Sequence, residues 1–189
     1  MADWTAADLP SFAGRTVIVT GANSGLGAVT ARELAGKGAN IIMAVRNTSK
    51  GEAAAQQITG PKVVEVRRLD LQDLSSVRQF ADGVDKVDVL INNAGIMAAP
   101  YALTVDGFES QIGTNHLGHF ALTNLLLPKL TDRVVTAPSP LLAPVTMTVR
   151  PANDGKSAAV QFVMAMSLIA ARSVPDSAWT VRAVTSVTK

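Results

Sequence analysis

The sequence predicts an α/β protein: a doubly wound parallel sheet with helices on both faces, incomplete at its C-terminal edge. Three observations carry this expectation. Short β-branched runs alternate with stretches of helical period, as in 16–20 against 26–37. The runs are apolar at nearly every position, which suits parallel strands buried on both faces. Glycines and capping residues punctuate the runs up to about residue 136 and then stop.

The elements follow in order. TVIVT (16–20), bounded by Gly14 and Gly21, reads as the first strand, and apolar spacing from Leu26 to Lys37 as the first helix, ended by Gly36 and Gly38. NIIMAV (40–45) is the second strand, and TSKGEAAAQQI (48–58) the second helix, with Thr48 or Ser49 as N-cap. KVVEVRRL (62–69) is the third strand, LSSVRQFADGV (74–84) a helix, and VDVLIN (87–92) the fourth strand. A long helix is predicted over 106–127, and RVV (133–135) begins a fifth strand. Beyond it, a helix near 156–171 and a strand near 180–187 can be drawn.

Bulk properties exclude several classes. The chain has 189 residues, enough for one buried domain, with 48% hydrophobic residues and 17% charged ones, as in a folded soluble protein. A net charge of +2 without Lys/Arg runs is not a nucleic-acid footprint. The absence of cysteine excludes disulfides, thiolate catalysis and Cys-ligated zinc. The N-terminus carries acids where a signal peptide carries bases, and no apolar stretch is long enough for a membrane span, so a cytoplasmic protein is expected.

The motif TGANSGLG (20–27) joins the first strand to the first helix, the context a dinucleotide site requires. Gly21 allows the tight turn, Gly25 a close backbone approach to phosphate, and Gly27 close packing of helix on strand, while the helix N-terminus presents free N–H groups. Asn23, Ser24 and Leu26 complete the loop. After the second strand the sequence reads AVRNTSK, with no acid before Glu52 and with Arg46 and Lys50 close by. An acid there would bind the ribose hydroxyls of NAD, whereas a guanidinium suits a 2′-phosphate, so NADP(H) is expected over NAD(H).

The spacing T-G-x-x-x-G-x-G resembles the short-chain dehydrogenase/reductase family, whose fold is a Rossmann-type sheet. Asp70 and Leu71 close the third strand where that family contacts adenine, and Asn92, Asn93, Ala94 and Gly95 form its NNAG motif. GTNHLGHFALTNLLLPKL (113–130) resembles the family's interface helix, with Asn115 at its catalytic asparagine. The string from Asn92 to Phe120 is most similar to the retinol-dehydrogenase-like branch with its bacterial oxidoreductases. The resemblance covers about 14–136. It implies hydride transfer between NADP(H) and a lipophilic alcohol or carbonyl, and homo-oligomers built through the 106–127 helix.

Family chemistry also uses a serine and a Y-x-x-x-K pair, in which the lysine brings a phenol that titrates near pH 10 into a useful range. The chain has one tyrosine, Tyr101, which follows NNAG and has Val105 four residues on. It matches the family's PY loop and not its proton donor. Ser139 falls at the position of the family serine, flanked by Pro138 and Pro140, which restrict its backbone. The Tyr/Lys pair is absent from the sequence. His116 and His119, the two histidines, are spaced to share one helix face and could in principle share a metal, although no H-E-x-x-H pattern is present. Asp82, Asp85 and Asp88 read as a solvated helix end and turn, and 162–168 as packing.

From Ala137 the composition changes: one glycine, two acids and five of the nine prolines lie in the remaining 53 residues. Local signals that cease to agree with the fold argue against an evolved continuation. The reading is therefore an NADP-binding portion (1–136) followed by an atypical tail (137–189), as truncation or a frameshift near codon 137 would produce. Such a sheet would keep an open edge and an apolar helix face, hence marginal stability unless a partner covers them. A catalytically silent dinucleotide-binding module and a non-functional gene remnant are the alternatives.

Overall fold

The computed structural model describes residues 5–59, 64–136, 145–150 and 159–164. Five parallel strands form the main sheet: β1 (Thr16–Thr20), β2 (Asn40–Val45), β3 (Val64–Arg68), β4 (Val87–Asn92) and β5 (Leu130–Thr136). Their order is β3-β2-β1-β4-β5, so β1 lies at the centre and the sheet ends at β5 among the described residues. The helices are α1 (Gly25–Gly36), α2 (Thr48–Ala55), α3 (Leu74–Asp82), α4 (Ser110–Ile112) and α5 (Gly118–Leu126), with a π-helical turn at Gly113–Leu117 between the last two.

The two-sided core explains the unbroken apolar runs. In β1, Val17 and Val19 point into one cluster with Ala31, Leu34, Ile41, Met43 and Val89. Ile18, between them, faces the opposite cluster with Val77, Phe80, Leu90, Leu122 and Leu126. A strand whose successive side chains alternate faces must therefore be apolar throughout. At the opposite end of the sheet from the glycine-rich loop, Asp88 ties three strands together. Its carboxylate accepts the Thr16 amide at 2.8 Å and the Thr131 hydroxyl. Burial opposes the charge of Asp88, but the Thr131 and Thr16 hydrogen bonds, with Lys86 and Arg15, outweigh it and hold the carboxyl below its usual pKa.

Several expectations need correction. The N-cap of α2 is Asn47, whose side chain accepts the Lys50 amide at 2.9 Å, and not Thr48 or Ser49. That helix ends at Ala55, three residues before Ile58. The helix predicted over 106–127 begins only at Ser110. Before it, Gly107 takes φ +83° in a turn and the Asp106 carboxylate accepts the Leu74 amide at 2.9 Å, next to the Asp73 cap of α3. Asp88 belongs to a strand and not to a solvated turn. β5 starts at Leu130, before the predicted Arg133.

Beyond the main sheet, β6 (Val145–Arg150) and β7 (Ala159–Met164) pair antiparallel, Val145 opposite Met164 and Arg150 opposite Ala159. The helix predicted near 156–171 is thus a strand over 159–164. AVQFVM is rich in residues that favour strands. The strand predicted near 180–187 lies outside the described residues.

Gly118 supplies a test of how tightly α5 lies on the sheet. A Cβ there would sit 2.5 Å from the Leu71 carbonyl oxygen, whereas a Cβ at Gly36 meets nothing within 4 Å. Gly118→Ala is expected to lower unfolding stability by about 1–3 kcal/mol through overpacking. Gly36→Ala should leave it unchanged or raise it by about 0.5–1 kcal/mol. Urea denaturation of the two variants against the parent measures both.

Candidate functional site

A groove of about 500 Å³ opens at the C-terminal ends of the central strands. It lies where β1 is flanked by β2 on one side and β4 on the other, the switch point at which open parallel sheets bind ligands. One wall is the loop entering α1, with Gly21, Asn23, Ser24 and Leu26. Gly21 takes φ +66° and lies so close to the loop after β4 that a Cβ would fall 2.9 Å from the Ala94 Cα. Gly25 also has positive φ, with open space where a Cβ would be. Gly27 is packed inward, and a Cβ there would lie 2.5 Å from the Gly21 carbonyl oxygen. The Ser24 side chain does not cap α1, so the first-turn N–H groups are left for another acceptor.

The opposite walls come from the strand ends. Arg46, Asn47 and Lys50 follow β2, all three exposed, and neither basic side chain has an ion-pair partner among the described residues. Asp70, Leu71 and Gln72 follow β3, and the Asp70 carboxylate accepts the Gln72 amide at 3.0 Å. Asn93, Ala94, Gly95 and Ile96 form the floor after β4. A free helix N-terminus, a glycine with no side chain in the way and two unpaired cations fit a phosphate-bearing dinucleotide.

One hydroxyl fastens this floor. Thr20 Oγ1, at the end of β1, accepts the amides of Asn93 and Ala94, each at 2.9 Å, while Asn93 Nδ2 donates to the Thr20 carbonyl at 2.9 Å. Its remaining hydrogen-bond neighbours are His119 Nε2 at 2.9 Å and the Ile91 carbonyl at 3.4 Å. From the other side Asn115 clamps the same loop. Its Oδ1 accepts the Ile96 amide and its Nδ2 donates to the Ile96 carbonyl, both at 2.8 Å. The π-helical turn makes room for this clamp: the Gly118 amide bonds to the Gly113 carbonyl, five residues back.

That turn also separates the two histidines. His116 is exposed and stacks on Phe120 with ring centroids 6.4 Å apart, whereas His119 is buried. The reading of both on one helix face is therefore corrected. His119 Nδ1 stands 3.2 Å from the Asn115 carbonyl, which can only accept, so the ring is placed with its proton on Nδ1 and its lone pair on Nε2. Burial lowers its pKa from 6.5 to about 4, against the raising effect of the Asn115 carbonyl, with His116 adding to the depression. Among the described residues no three His, Asp or Glu side chains are grouped to hold a metal ion.

Of the residues named from sequence, Gly21, Asn23, Ser24, Leu26, Arg46, Asp70, Leu71, Asn93, Ala94 and Gly95 line the groove. Asn92 does not: it is buried behind the floor, donating to the Thr123 hydroxyl at 3.1 Å. Asn115 reaches the groove through Ile96. Tyr101 is 80% exposed and lies outside the groove, and Ser139 lies outside the described residues. Sequence reasoning missed Thr20, Asn47, Gln72, Thr114 and the Thr20–His119 contact. The polar end of an otherwise apolar first strand was the available signal for Thr20.

Comparisons agree with this geometry. The family model described as short chain dehydrogenase matches residues 15–137. Human retinol dehydrogenase 13 is 54% identical over 136 residues, covering 68% of this chain and 40% of that protein. A crystal structure of an uncharacterised protein from Mycobacterium paratuberculosis is 81% identical with a TM-score of 0.70, covering 72% of this chain and 50% of the other. The RhlG/NADP active-site complex of Pseudomonas aeruginosa is 27% identical with a TM-score of 0.58, over 67% of this chain and 55% of the other. The chain thus spans about 40% of the length of the curated relatives it matches.

The buried imidazole makes the fold acid-sensitive. The unfolded chain protonates His119 near 6.5 and the folded one near 4, so between these values the unfolded state binds more protons. Stability is therefore full above the upper value and falls as the pH drops towards the lower, by about 3 kcal/mol from this group. Urea denaturation at steps between about pH 7 and 5 should show the decline, and His119→Gln should flatten it.

Proposed function

Because the chain belongs to the short-chain dehydrogenase family, we propose that its groove binds NADP(H) in preference to NAD(H), as the cofactor half of an oxidoreductase site. The observation that carries the preference is the end of β2, where Arg46 and Lys50 border the groove and the sequence has no acid before Glu52 to receive ribose hydroxyls. Arg46 would take the 2′-phosphate as a charge-assisted pair, and the α1 N-terminus with Gly25 would take the bridging phosphates. Asp70 and Leu71 would border the adenine, and the Asn93–Gly95 floor would lie under the nicotinamide end. When bound, the nucleotide supplies or accepts a hydride.

The substrate class in this reading is a lipophilic alcohol or carbonyl, supported by the likeness to proteins named retinol dehydrogenase. Turnover needs a proton donor matched to the hydride. The sequence offers no Y-x-x-x-K pair, and Tyr101 has Val105 where the lysine would stand. The portion 1–136 therefore binds and positions without transferring protons, and 137–189 is a tail outside that work. No helix of the described residues is long and apolar enough to cross a membrane.

A second reading, a catalytically silent module that docks on a second copy or a longer relative, is favoured by one observation. Ile112, Phe120 and Leu125 are exposed on the segment running from α4 to α5. In that reading the segment takes the partner, and the apolar area it presents is what association would bury.

Fluorescence titration with NADPH and NADH separates the claims. NADPH is expected to bind more tightly, and Arg46→Ala to weaken NADPH about tenfold with NADH unchanged, the loss of one phosphate contact. Equal affinity for both nucleotides overturns the NADP(H) assignment. Oxidation of NADPH in the presence of a lipophilic aldehyde would contradict the absence of a proton-transfer pair.

A further inference from the structure

The Thr20 hydroxyl is shared by more partners than it can serve in any arbitrary orientation. It has one proton and two lone pairs. Both lone pairs are taken by the Asn93 and Ala94 amides at 2.9 Å, so its proton must leave towards the remaining acceptors. Of these, His119 Nε2 at 2.9 Å is closer than the Ile91 carbonyl at 3.4 Å. Nε2 can accept only if the ring proton sits on Nδ1, where the Asn115 carbonyl at 3.2 Å holds it. A line of single-direction hydrogen bonds thus runs from the Asn115 backbone through His119 and Thr20 to the floor of the groove.

We propose that His119 is a positioning residue for the dinucleotide groove: by accepting the Thr20 proton at Nε2 it leaves both Thr20 lone pairs to the Asn93 and Ala94 amides and so fixes the floor. The proposal rests on the reading of the groove as a dinucleotide site, but the hydrogen-bond direction does not. A doubly protonated ring would donate at Nε2 and compete with the two amides for the same oxygen, so the neutral ring is the one that supports the floor. Burial of His119 favours that neutral form. The arrangement joins the two ends of the site: Asn115 clamps the loop at Ile96 by its side chain, and by its carbonyl it sets the tautomer that holds Asn93 and Ala94.

Long-range proton–nitrogen correlation on the 15N-labelled full chain tests the direction without any variant of His119. The two histidines are told apart with His116→Gln. A neutral His119 with its proton on Nδ1 is expected; a proton on Nε2 in the neutral ring overturns the proposal. Amide hydrogen exchange then reads the consequence. In His119→Phe, exchange at Asn93 and Ala94 should quicken about tenfold relative to the β1 and β2 amides, while His119→Gln, which keeps an acceptor, should recover part of the protection. Uniform acceleration across the sheet would mean a packing role only and overturn it. NADPH affinity should fall about tenfold in His119→Phe and in Thr20→Val, and the double variant should lose no more than either single one. Additive losses also count against it. If the parent chain binds no NADPH, the function assigned to the groove fails, while tautomer and exchange still decide the role of His119.

Discussion

A single side-chain oxygen at the end of the central strand organises the site. Strand β1 is apolar and fully buried at Val17, Ile18 and Val19, and then places Thr20 at its last position, also buried. A hydroxyl without partners there would carry a desolvation penalty of about 1–3 kcal/mol, so it is stable only with its hydrogen bonds made. The chain turning away from β4 supplies two N–H donors that the parallel ladder has ceased to engage, and α5 supplies an acceptor. Each component satisfies a group that would otherwise be orphaned. The loop, the helix and the strand end are consequently held as one unit, and the groove is the space they leave.

Two further constraints shape that space. Glycines bring backbone against backbone at Gly21 with Ala94, and at Gly27 with Gly21, where any side chain would push the elements apart. Once α1 stands this close, its uncapped first turn faces the groove, and partial positive charge gathers where β2 has already placed Arg46 and Lys50. The anion binding proposed for the groove thus rests on packing as much as on charged side chains. Exposed basic groups alone would be weakly specific; a helix end at fixed distance from them is not.

The legible parts of the fold were those decided by burial. The bounds read for β1, β2 and β4 are those observed, because the apolar runs that a core on both faces demands stand out against the polar turns on either side. The glycine-rich loop was legible for a related reason, since its glycines answer to steric limits that few other residues could meet. The parts that were misread depend on tertiary partners. Asn47 outcompetes Thr48 and Ser49 as a cap only because the chain leaves β2 extended at that residue. Asp106 could pass as a first-turn acid, but its carboxylate is bonded to the Leu74 amide across the molecule. The π-helical turn has no signature in the apolar pattern. It lies where Asn115 pairs with Ile96, residues 19 apart in sequence. A helix can be drawn near 156–171, but residues 159–164 form a strand, as their β-branched and aromatic content favours.

The division between holding a nucleotide and transferring a proton is also physical. The hydrogen bonds that hold the groove floor join Thr20, Asn93, Ala94, Ile96, Asn115 and His119, on strands and helices whose core includes Leu122, Leu126 and Val134. Among the described residues, the loops and helix ends that line the groove are held by strands β1 to β4 and by the segment from α4 to α5. Proton transfer has a different requirement, a positioned donor whose pKa its surroundings bring near the working pH. Tyr101, the one tyrosine of the sequence, sits on an exposed loop with valine four residues on. The backbone amides and the helix end that line the groove are set by the sheet and by the glycines that let its neighbours approach, so the groove's shape follows from packing.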